Sequence, residues 1–106
     1  MIVNVDLRSA SPTVSVEDAA DLKSLKLVAY ADQREPARLG TVLASIDSGT
    51  DGDDALLDID ALKRLSGAAA DDPRWRAAFD QMVTYAASKG WVGPGATLRA
   101  HCEWRR

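Results

Sequence analysis

Four residues close to the C-terminus have the types and the spacing to do chemistry together. Arg99, His101, Glu103 and Arg105 alternate with Leu98, Ala100, Cys102 and Trp104, and strict period two describes a strand with one apolar and one wet face. Alternate side chains of such a strand leave the same face roughly 7 Å apart. An imidazole beside a carboxylate can move a proton near neutral pH, and two guanidiniums can hold an anionic group. His101 and Glu103 are therefore the candidate catalytic residues. Arg99 and Arg105, with Tyr30 from an earlier segment, are the candidate ligand-binding residues. Charge pairing on a solvated antiparallel strand gives the same pattern with no chemistry at all. The expectation is a non-catalytic binding or protein-interaction module. The alternative is a small cofactor-independent enzyme or acidic-ligand-binding protein using this wet face.

Other arrangements resemble reactive sites and fail on spacing. His101 and Cys102 are sequence neighbours, but adjacent side chains on a strand point to opposite faces, so they cannot form a nucleophile–base pair. Cys102 falls with Leu98 and Ala100 on the apolar side, where a thiol is inert. One Cys and one His are too few for a zinc site. In Asp47-Ser48-Gly49-Thr50-Asp51-Gly52-Asp53-Asp54 a twelve-residue calcium loop counted from Asp47 puts Gly52 at the required glycine and Asp58 last. Its third position is Gly49, its eighth is the charged Asp54, and the bidentate Glu is missing. Gly90-Trp91-Val92-Gly93-Pro94-Gly95 has no Lys-Ser/Thr and does not lead from a strand into a helix, so it is no phosphate loop. No metal and no cofactor is expected.

The elements that position the wet strand are legible from periodicity. Asp72-Pro73 opens a helix, because the carboxylate can accept first-turn N–H groups and proline at the first position sacrifices no bond. Trp75, Ala78, Phe79, Met82, Val83 and Ala86 then form one apolar stripe, and Gly90 can close the helix in the left-handed conformation. Gly93-Pro94-Gly95 reads as a tight reversal before the last strand, and Trp91 and Trp104 read as core or rim packing. Val3, Val5 and Leu7 mark a first strand, and Leu25, Leu27, Ala29 and Ala31 a second. Ser15 is expected to cap a short helix containing Val16, Ala19 and Ala20. Glu35-Pro36 opens a helix with Leu39, Val42, Leu43 and Ile46 inward. Residues 55–58 suit a short strand and 60–66 a helix, the alternative being one helix from Asp54 to Ser66.

Length and charge set the frame. A chain of 106 residues, 46% hydrophobic and 27% charged, suits one domain with a single core. No apolar run reaches the ~20 residues a membrane span needs, the N-terminus does not read as a signal peptide, and a single cysteine suits a reducing, cytoplasmic setting. The net charge of −3 is uneven, with 14 acidic and 7 basic residues in 1–73 against 2 and 6 in 74–106. That total argues against nucleic acid as a partner, and the opposed ends can neutralise each other within one fold or between two copies; the expected partner is a second copy or another protein. The expected fold is α+β: a small, mainly antiparallel sheet of three to four strands from residues 2–8, 24–31 and 96–104, with helices packed on one face.

Overall fold

Apolar alternation fixes most of the strands. Val3 and Val5, fully buried, alternate with Asn4 and Asp6 in β1 (Ile2–Asp6). The run Thr-Val-Ser-Val-Glu forms β2 (Thr13–Glu17), not the expected helix capped by Ser15. Two β-branched valines two residues apart suit a pleated strand better than a helical turn. Next come β3 (Lys26–Tyr30), α1 (Pro36–Ala44), β4 (Gly49–Asp51), β5 (Asp54–Asp58) and α2 (Ile59–Leu65). A 3-10 turn (Gly67–Asp71) leads into α3 (Pro73–Ser88), and β6 (Val92–Gly93) precedes β7 (Thr97–Arg105). The computed structural model describes residues 1–93 and 95–106; Pro94, the middle of the expected reversal, lies outside them.

These strands form one mixed seven-stranded sheet in the order β2-β1-β3-β7-β5-β4, with β6 also paired to β7. The expectation of a small, mainly antiparallel three- to four-stranded sheet is therefore corrected. β1 pairs with β3, and β3 with β7, in parallel. Parallel neighbours need long connections, and both pairs have them: β2 lies between β1 and β3, and all three helices lie between β3 and β7. Local alternation identifies strands but carries no information about which distant strand lies alongside, or in which direction.

The inward face is continuous across the register. Val3 lies beside Leu27 and Leu27 beside Cys102, while Ala55 faces Ala100 and Leu57 faces Leu98. Leu39 and Leu43 of α1, Leu62 of α2, and Trp75, Phe79 and Ala86 of α3 join these residues in a single cluster. α3 starts as its sequence dictates: the Asp72 carboxylate accepts from the Arg74 N–H at 2.9 Å, with Pro73 as the first helical residue. Past its end Gly90 takes φ +75°, a conformation that costs glycine little. Trp75 stacks on Phe79 at 4.9 Å and donates its Nε1–H to the Ala19 carbonyl at 2.7 Å, tying the helix to the β2–β3 loop. Ala78, expected on the buried stripe, is exposed.

Candidate binding cleft

β7 changes neighbour along its length. On one side it pairs with β5 from Thr97 to His101. On the other it pairs with β6 at Thr97 and Leu98, and with β3 only from His101 onward, so Arg99 and Ala100 sit at a junction between two partners. Trp91 manages that junction. Its carbonyl accepts from the Arg99 N–H at 2.9 Å, while its own N–H bonds the Ala86 carbonyl at the C-terminal end of α3, also at 2.9 Å. Next to it the backbone must come close to β7 at Gly93, where an added Cβ would meet Thr97 Oγ1 at 2.9 Å.

At this junction a cleft of about 840 Å³ opens between α3, the β2–β3 loop and the sheet. Met82 and Tyr85 of α3, Leu22 and Leu25 of the loop, and Leu98 and Ala100 of β7 form its apolar walls. Trp91 stands at its mouth, 47% exposed, with Tyr85, 56% exposed, edge-to-face at 5.9 Å. Two large aromatics left half in water beside an apolar hollow are unusual, because burying such rings is strongly favourable. The loop wall is held in place: besides the Trp75 bond to Ala19, the Met1 nitrogen donates to the carbonyls of Asp21 at 2.5 Å and Ser24 at 2.8 Å.

The rim sorts its charges. Arg99 donates to Asp51 at 2.7 Å and to Asp54 at 2.9 Å, and these two carboxylates, Asp51 first, raise its pKa. Asp54 is thereby committed to a cation. Glu103 is engaged as well, by Arg105 at 2.7 Å and by Lys26 at 3.6 Å. Both carboxylates flanking His101 are thus held by cations other than the imidazole. His101 is exposed and lies on the cleft wall. Lys23, also lining the cleft, makes no ion pair among the described residues.

The sequence candidates therefore separate. Arg99, His101, Glu103 and Arg105 do share the outer face of β7, yet only Arg99 and His101 line the cleft. Arg105 lies in register with Tyr30 at the far end of the strand. There the Arg8 guanidinium sits 5.1 Å above the Tyr30 ring and bonds Asp6 at 2.8 Å. Those bonds from Arg8 hold the Asp6 carboxyl down at about 2. Cys102 is on the inner face, half-buried and packed against the core, and burial raises its pKa against an opposing effect of Arg34. The acidic segment is the β4–β5 hairpin, turning at Gly52 and Asp53 and sending Asp51 and Asp54 to Arg99.

Sequence reasoning missed Trp91, Tyr85 and Lys23. Trp91 had been expected in the core or its rim. The available signal was the loop-like setting of Trp91 between Gly90 and Gly93, and the position of Tyr85 off the apolar stripe of α3. Among the described residues no group of three or more His, Cys, Asp or Glu side chains converges as a metal site, and no helix is long and apolar enough to cross a membrane. No family model matches the chain, and neither a curated protein nor a solved structure matches it.

Proposed function

We propose that this chain is a non-catalytic binding module whose ligand site is the cleft between α3 and β7, and that its ligand has an apolar, planar body carrying an anionic group. The observation that carries this reading is the apolar cleft itself, with Trp91 and Tyr85 half-exposed at its mouth. An apolar hollow with a few polar groups at its edge is the usual form of a small-molecule site. The anionic group is argued from the rim: Asp54 and Asp51 share the one Arg99 guanidinium, whereas Lys23 lines the cleft and makes no ion pair among the described residues. Binding is favoured over catalysis because Glu103 and Asp54 are both held by cations and neither serves His101 as an orienting carboxylate. The proposal extends to a cytoplasmic setting, with a second copy or another protein as partner and without nucleic acid.

Calorimetric titration with 2-naphthoate and with its uncharged alcohol analogue tests the reading. Naphthoate is expected to bind the wild type, and Trp91→Ala to weaken it by about tenfold, the equivalent of one lost aromatic contact. Lys23→Gln is expected to weaken naphthoate and leave the alcohol unchanged. Failure of both compounds to bind, or equal affinity in Trp91→Ala, would refute it.

A further inference from the structure

The two edges of the sheet are built differently, and one of them turns the backbone groups of a five-residue strand outward. β4, at one edge, has three residues and runs into the acidic hairpin turn of Asp51, Asp53 and Asp54. Short strands and charges of this kind keep an edge from pairing with another chain. β2, at the other edge, has five residues, no lysine or proline within it, and valine at both inward positions.

The hydrogen-bond phase of β1 shows which groups of β2 face outward. Leu7 N–H bonds the Tyr30 carbonyl, and Lys26 N–H bonds the Met1 carbonyl, so the odd residues of β1 direct their backbone groups to β3. Its even residues, Ile2, Asn4 and Asp6, therefore face β2. Their register partners are Glu17, Ser15 and Thr13, which leaves the N–H and C=O groups of Val14 and Val16 pointing away from the sheet. Both valine side chains are only half-buried, packed against the core at its margin.

We infer that β2 is a homodimerisation edge, pairing antiparallel with β2 of a second copy about a two-fold axis through Ser15. In that register Val14 of each copy opposes Val16 of the other, and the four outward backbone groups on each side meet as four hydrogen bonds. Directly opposed residues of an antiparallel pair lie on the same face, so the valines meet above the joined cores and the two Ser15 hydroxyls meet on the outer face. Thr13 opposes Glu17, so no like charges face one another. The ladder ends at Pro12, which has no N–H, and at Asp18, whose φ of +54° leaves the extended region. The strand is thus complementary to itself, which is why the partner is a second copy and not an unrelated strand. A two-fold, isologous contact is also the commonest way identical chains associate.

This surface goes beyond the cleft reading and is tested apart from it, since no residue of β2 lines the cleft. Ser15 is exposed and its side chain makes no hydrogen bond among the described residues, so charge placed there spares the fold. Light scattering coupled to size exclusion, across micromolar to millimolar protein, is expected to report a dimer of the 11.4 kDa chain at the upper end. Ser15→Lys alone and Ser15→Glu alone are each expected to be monomeric, because like charges meet on the axis. An equimolar mixture of the two is expected to recover the dimer mass. Val14→Pro, which removes one outward N–H and no bond to β1, is expected to give a folded monomer by circular dichroism. A monomeric wild type at every concentration, dimers that survive both charge substitutions, or a mixture that stays monomeric would each overturn the inference.

Discussion

At the scale of single residues, the strongest electrostatic signature lies away from the cleft. The Arg8 side chain and backbone N–H both bond Asp6, lowering its pKa from 3.8 to about 2. A carboxyl whose folded pKa is depressed adds stability that is present above its unfolded value and is lost as pH falls through the folded value. For Asp6 that window runs from 3.8 down to about 2. Carbon-13 titration of the Asp6 carboxyl is expected to show a midpoint near 2 in the wild type and a return toward 3.8 in Arg8→Ala. A wild-type midpoint already near 3.8 would show that the pair does not persist in solution. Residue types alone nominated Arg99 as an anion holder, but its two carboxylate partners come from a hairpin more than forty residues earlier. Spacing along one strand reveals what shares a face, not what a distant loop has already neutralised.

At the scale of elements, α3 organises the interior and makes one wall of the cleft. Phe79 is fully buried, stacks on Trp75 and has Lys63 Nζ 5.6 Å from its ring centroid. Phe79→Ala is expected to cost about 3–5 kcal/mol, a large part of a small domain's stability. Chemical denaturation checks this, and a nearly unchanged midpoint would mean that α3 is peripheral. This helix was legible because its start, stripe and stop are local signals: Asp72-Pro73, the residues from Trp75 to Ala86, and Gly90. β2 was not, because Ser15 three residues before Asp18 mimics a helix cap, while the pairing that makes Thr13–Glu17 a strand is supplied by β1. The three-residue β4 and two-residue β6 are too short for any periodicity to show; β5 and β7 make them strands.

At the scale of the whole molecule, the site is a product of topology. A β7 served by β5 on one side, and by β6 and then β3 on the other, leaves Arg99 and Ala100 between partners, and the cleft opens there. No local pattern encodes that junction, which is why Arg99 and His101 were nominated from their own strand while Trp91, Tyr85 and Lys23 were not. The same topology leaves β2 as the edge strand opposite β4. The proposed assembly edge and the proposed ligand cleft share no residue of β2, so each proposal can fail without the other.

The most direct measurement of the central claim is amide NMR mapping of the 15N-labelled protein titrated with 2-naphthoate. Saturable shift changes are expected, confined to the cleft: Leu22 to Leu25, Ala78 to Ala86, the Trp91 indole, and Leu98 to His101. Shifts that cluster instead around Tyr30, Arg105 and Arg8, or no saturable shifts anywhere, would contradict it.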